Sequence, residues 1–259
     1  MPTPATLLIV ALLVGLAVAA YWLFRPGRPA RGGRPPASLA PAHLRALLTR
    51  HVSYYAEVQP ADRADFHHAV DDFLARIRFH GAATRVADVD RVVVAAAAAA
   101  LRYRSPHAAD WGITEVVLQP GDVDEVVGDA PTGTVGLADH PDFTRTVVLS
   151  QADLRACARG EIPGDVAAHE FAHLVDRARG GEPDGLPHGL EEVPWRRLVH
   201  DEMDRAATGY SLLDDYAADD PVEFFAVATE YFLTDHRAMR RELPRLHAAL
   251  TKVYGPVFG

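Results

Sequence analysis

One short stretch of the chain carries residues that could do chemistry together. It is DVAAHEFAHLVDRARGG, residues 165–181, where His169 and His173 stand four apart and Glu170 follows the first histidine. On a helix, positions i and i+4 differ by about 40° around the axis, so the two imidazoles project from one face a turn apart. Two imidazoles at that spacing suit a zinc ion, and Glu170, about 100° round from His169, lies beside the metal, where it could take a proton from an attacking water. The bland alternative is a helix that carries two histidines by chance. The flanking Val166, Ala167, Ala168, Phe171, Ala172, Leu174 and Val175 make the helix a buried one. Buried imidazoles and a buried carboxylate need partners, which favours the metal.

A catalytic zinc usually keeps three protein ligands and one open position, and this helix supplies two. Position 179, where a third histidine on a HExxHxxGxxH pattern would fall, is Arg179. Asp176 lies near the same face, but one rigid helix does not easily offer three ligands in tetrahedral geometry. It is read as a carboxylate that holds a histidine N–H. The third ligand is expected on YAADDPVEFFAVATEYFLTD (216–235), where Glu223 and Glu230 sit in apolar company seven residues apart. Spacing leaves both open and puts Glu223 first.

The elements that must position these residues follow from the rest of the chain. PADRADFHHAVDDFLARIRFHG (60–81) has Phe66, Val70, Phe73, Leu74 and Ile77 at helical spacing, with Gly81 as its stop. RVVVAAAAAALRYR (91–104) reads as a buried core helix starting near an Asp88 cap. ITEVVLQP (113–120), TGTVGLAD (132–139) and TRTVVLSQ (144–151) read as three strands of a small antiparallel sheet. Four helices are expected after it, at about 163–178, 194–207, 221–234 and 237–254, with Pro163 and Pro221 in first turns and Gly180 and Gly209 at helix ends. The fold class is α+β, mostly helical, in a single domain over 41–259.

The N-terminus is different. Residues 5–24 are an uncharged apolar stretch, long enough to span a bilayer. Arg25, Arg28, Arg31 and Arg34 follow in a Pro/Gly/Arg-rich linker over 25–40. The expectation is a single-pass membrane anchor with the C-terminal domain in the cytoplasm, because the positive charge follows the span. The alternative is export after signal-peptide cleavage near Ala17–Ala19.

Composition removes several classes. Cys157 is the only cysteine, so neither an internal disulfide nor a thiolate zinc cluster is possible. The formal charge is −9, and the first forty residues hold four arginines and no acid, so the remainder is more acidic still. Nucleic acid is therefore not an expected partner.

AAHEFAHLVD, followed about 45 residues on by YAADDPVEFFAVATEYF, resembles the paired motifs of the MtfA family of bacterial zinc peptidases. More remotely, the two motifs resemble the catalytic domain of anthrax lethal factor. The resemblance runs over about residues 60–255 and includes RTVVLSQADL ahead of the zinc helix. It implies a zincin-like metallopeptidase domain with His169, His173 and Glu223 as zinc ligands and Glu170 as the catalytic glutamate. Tyr216 matches a tyrosine that faces the substrate carbonyl, and Glu230 matches a glutamate behind the ligands. The implied substrate is a peptide or protein, with aminopeptidase activity in the family. The resemblance also implies a second kind of function, binding of a cytoplasmic transcriptional regulator, as MtfA binds the glucose repressor Mlc.

Overall fold

A computed structural model describes residues 39–107, 111–121, 146–180, 183–213 and 215–258. Nine α-helices and three strands run through the described residues in the order α1 (Pro41–His51), α2 (Arg63–Arg76), β1 (Arg78–Gly81), α3 (Asp88–Arg102), β2 (Glu115–Gln119), β3 (Thr146–Ser150), α4 (Gln151–Arg159), α5 (Val166–Arg177), α6 (Glu192–Ala207), α7 (Pro221–Thr234), α8 (His236–Glu242) and α9 (Pro244–Tyr254). Short 3₁₀ turns at Ser53–Glu57 and Asp215–Ala218 precede α2 and α7.

The core is built around α3. Its Val92–Leu101 run is buried throughout, and the alanines let α1, α2 and α5 approach closely. Ala87 caps this helix, not Asp88. The acid that satisfies its first turn is Asp90, which accepts from the Ala87 N–H at 2.8 Å. The Asp90 carboxylate is fully buried and also takes a two-pronged bond from Arg155 on α4 (2.7 and 2.8 Å) and one from Gln151 (2.9 Å). A buried charge needs such company, and here it ties α3 to α4.

The sheet is parallel, in the order β1–β2–β3, which corrects the antiparallel expectation. Arg78 pairs with Glu115 and Phe79 with Val116; Val116 pairs in turn with Val147. The physical reason lies in the strands themselves. Val116, Val117 and Leu118, like Val147, Val148 and Leu149, are all buried, without the alternation of a sheet that has one wet face. Continuous apolar runs are the mark of strands covered on both sides, which is how parallel sheets are built. The first strand comes from Arg78–Gly81, expected as the tail of a helix; α2 ends at Arg76. The expected strand at 132–139 lies outside the described residues.

Two other boundaries move. The last expected helix is two, α8 and α9, because Pro244 has no N–H to continue the first and opens the second, with Leu243 capping both. Pro163 precedes α5 without joining its first turn, and Asp165 caps that helix, accepting from the N–H groups of Ala167 and Ala168 at 3.1 Å each. Pro221 does stand in the first turn of α7, behind an Asp220 cap.

The single-pass membrane placement is corrected as well. Among the described residues no helix is long and apolar enough to cross a membrane. The 5–24 stretch on which that expectation rested lies outside the described residues, as does the linker up to Ser38.

Candidate metal centre

Helices α5 and α7 pack against each other and bring the two motifs together. His169, His173 and Glu223 are all buried, and each offers a ligating atom within 4.8 Å of the others. The two imidazoles turn their Nε2 atoms to the same carboxylate. His169 Nε2 is 3.2 Å from Glu223 Oε2, and His173 Nε2 is 3.7 Å from Glu223 Oε1. The rings stand edge to face, 5.0 Å apart and inclined by 80°. Glu223 is positioned by its own helix start, since its N–H and that of Val222 are held by Asp220 Oδ1.

Glu230 lies two turns further along α7 and acts from behind. Its Oε1 lies 2.7 Å from His169 Nδ1, and its Oε2 accepts from the Asp165 N–H at 2.9 Å. One carboxylate thus fixes both the tautomer of His169, with Nε2 left for a ligand, and the start of the helix that carries it. The approach is close enough to need a glycine. Gly164 has φ +88°, and a Cβ there would stand 2.2 Å from Glu230 Oε2.

Asp176, expected to hold a histidine, is turned elsewhere. Its Oδ2 accepts from the Gly185 N–H at 2.8 Å. Gly185 has φ +69°, and its carbonyl accepts from Trp195 Nε1. A Cβ at Gly185 would meet the Pro221 carbonyl at 2.1 Å. Asp176 therefore holds a loop that seats the first residue of α7, two residues before Glu223. Glu170, 1% exposed, follows His169 on α5. Tyr216, on the 3₁₀ turn before α7, puts its ring 6.1 Å from that of His169, with its hydroxyl on the side of Glu223. His188 stacks on His107, and His200 is exposed beside Asp204.

The electrostatics show what the cluster wants. Burial works against a charge on His169, yet the Glu223 and Glu230 carboxylates overcome it and raise its pKa to about 10. Burial and the neighbouring His169 charge push His173 down to about 4. For Glu223, burial favours the neutral acid, but His169, His173 and the Tyr216 hydroxyl hold its pKa below the ordinary carboxylate value. The buried carboxylates therefore favour positive charge at this point. Two imidazole nitrogens and a carboxylate around one point form the His₂Glu donor set of a zinc site, so the residues fit a divalent ion.

Gly164, Asp165 and Gly185 were not singled out in the sequence. A helix cap directly before the first apolar residue would have marked Asp165. The two glycines hold positions set by contacts from distant residues, which no local pattern records.

The sequence model of the glucose-regulated metallo-peptidase M90 family matches residues 30–255. A Mlc titration factor A of Escherichia fergusonii is 29% identical over 167 residues, which cover 56% of this chain and 61% of that protein. The Mlc titration factor A of Cronobacter sakazakii is 34% identical over the same shares. The chain thus spans about three-fifths of the length of these two relatives. An uncharacterized protein of Synechocystis is 24% identical over 235 residues, 83% of this chain and 84% of that one.

Proposed function

The chain belongs to the glucose-regulated metallo-peptidase M90 family, and from that membership we propose that it is a zinc-dependent peptidase. His169, His173 and Glu223 hold the ion, Glu170 serves as general base, and Tyr216 as the donor to the carbonyl oxygen. The observation that carries this reading is the convergence of both Nε2 atoms on the Glu223 carboxylate, with Glu170 next in the same buried helix. When bound, zinc supplies a Lewis acid that polarises a carbonyl and makes water more acidic.

The chain's own residues divide the remaining work. Glu170 takes the proton of the attacking water and returns it to the leaving amine. The Tyr216 hydroxyl, close to Glu223, turns to the substrate oxygen as negative charge builds there. Glu230 keeps His169 in the required tautomer and orientation. Aminopeptidase action is the finer form of the proposal, drawn from the resemblance.

The test combines zinc content by mass spectrometry with hydrolysis of aminoacyl and internally quenched peptides. Close to one zinc per chain is expected, and Glu170→Gln should keep the metal and lose hydrolysis. Full activity in excess chelator would overturn the reading. A second reading rests on the name of the relatives: capture of a transcriptional regulator, as a titration factor does. It predicts that Glu170→Gln leaves regulator binding intact.

A further inference from the structure

Helices α5 and α7 pack against each other and are tied at two places. The first tie is direct: Glu230 of α7 meets the His169 ring and the Asp165 N–H at the start of α5. The second passes through Gly185, on the loop between α5 and α6, where three helices meet. The Gly185 N–H donates to Asp176 of α5 at 2.8 Å, its carbonyl accepts from Trp195 Nε1 of α6, and both bonds are buried. Its Cα lies against the Pro221 peptide that opens α7, so closely that a Cβ would stand 2.1 Å from the carbonyl oxygen and 3.0 Å from the proline Cβ. A residue with φ +69° and no room for a side chain thus fixes the loop on the helix start.

The two ties serve different ligands. Glu230 grips the His169 ring itself. Among the described residues no hydrogen bond reaches the His173 ring, whose Nε2 stands 3.7 Å from Glu223 Oε1. A metal-binding imidazole is ordinarily held through its other ring nitrogen, so here the spacing between His173 and Glu223 rests on the backbones that carry them. Distance along the helices picks the tie that sets it. Asp176 stands three residues past His173, about 4.5 Å of rise, and Pro221 two residues before Glu223, about 3 Å. Glu230 is seven residues from Glu223, about 10 Å. The Gly185 joint is the nearer support for this pair.

We propose that Asp176 and Trp195 are positioning residues for Glu223: by clamping Gly185 against Pro221 they hold that carboxylate at the spacing from His173 at which one ion is gripped by both. The seating of Glu223 stands on these contacts alone; its effect on the metal rests on the zinc reading above. The route also sets where the influence ends. Once Glu223 is no longer a ligand, neither residue has a path to the ion, and their effect on zinc affinity disappears.

The test is a double-mutant cycle on the full chain, with zinc affinity read by competition with a fluorescent chelator. Asp176→Leu should weaken zinc about tenfold, and Asp176→Asn, which keeps an oxygen for the Gly185 N–H, should recover most of that loss. In the Glu223→Gln background Asp176→Leu should cost less than about twofold. Trp195→Phe keeps a ring and removes the donor to Gly185; it should show the same pattern at about threefold, and it serves if Asp176→Leu does not fold. Amide hydrogen exchange of the metal-free chain reads the seating without zinc. The Val222 and Glu223 N–H groups, held by Asp220, should exchange about tenfold faster in Asp176→Leu, while the His169 N–H, held by the Asp165 carbonyl, keeps its rate. Unchanged zinc affinity in Asp176→Leu and Trp195→Phe, or equal losses with and without the Glu223 carboxylate, overturns the metal effect. Unchanged exchange at 222–223, or an equal gain at His169, overturns the seating. A wild type that takes up no zinc overturns the zinc reading and the metal effect with it, while exchange still decides the seating.

Discussion

Two glutamates on one helix have different tasks, and the difference is measurable. Glu223 faces both Nε2 atoms, whereas Glu230 faces Nδ1 of His169. Glu223→Gln replaces a carboxylate by a neutral amide, a poor zinc ligand, and should lose zinc affinity by more than about 100-fold. Glu230→Gln should lose about 10–100-fold, as partners behind the ligands do. Competition with a fluorescent zinc chelator measures both; the reverse order would exchange their roles. Tyr216→Phe should keep the metal and lower kcat by about 100-fold with little change in KM, because the hydroxyl is needed chiefly in the transition state. Equal loss in kcat and zinc content would make Tyr216 a prop for Glu223 instead. At this scale the sequence was informative, since four-residue spacing on a buried helix is itself a geometric statement. It pointed Asp176 at a histidine, whereas the carboxylate meets Gly185, on a loop whose path depends on Trp195 and Pro221.

The start of α5 is the element on which the site turns. Asp165 caps it from a buried position, and burial raises that carboxyl from an ordinary 3.8 to about 6. A carboxyl whose folded pKa lies above its unfolded value binds its proton more tightly when folded. Stability is therefore full below about pH 4 and is lost as pH rises towards about 6. Asp165→Asn keeps a good cap and cannot ionise. Urea denaturation in excess chelator should show wild type losing about 2–3 kcal/mol relative to this variant across that interval, with a constant difference above it. A difference that does not change with pH would show that the Ala167 and Ala168 N–H groups already offset the burial. Helices such as α2, with its buried Phe66, Val70, Phe73 and Leu74 at helical spacing, and α7, opened by Pro221, were legible in the sequence. The sheet direction was not, although the unbroken VVL runs in β2 and β3 held the information. The antiparallel reading rested on β-rich runs between turn residues, which mark strands but not their direction.

Across the whole molecule, the metal would act as a clasp between the α5 and α7 halves of the fold. A ligand bound only by the folded state stabilises it by about 4 kcal/mol when present at a thousand times its Kd. For a chain of this size chelation should lower Tm by roughly 10 °C, and His169→Ala should show no such response. Calorimetric scans with and without chelator check this; an unmoved wild-type Tm would mean that nothing structural depends on the ion. The two motifs were readable because each is local, but their meeting was not, since the path between them runs through α6 and the Gly185 loop. That separation also matters while the chain is being made. His169 is synthesised 54 residues before Glu223, an interval of roughly 3–10 s at ordinary elongation rates. Through that interval the growing polypeptide carries the imidazole pair without Glu223, and such a half-site would follow the Irving–Williams series, which favours copper over zinc. On the zinc reading, the donor set is complete only once α7 has been made.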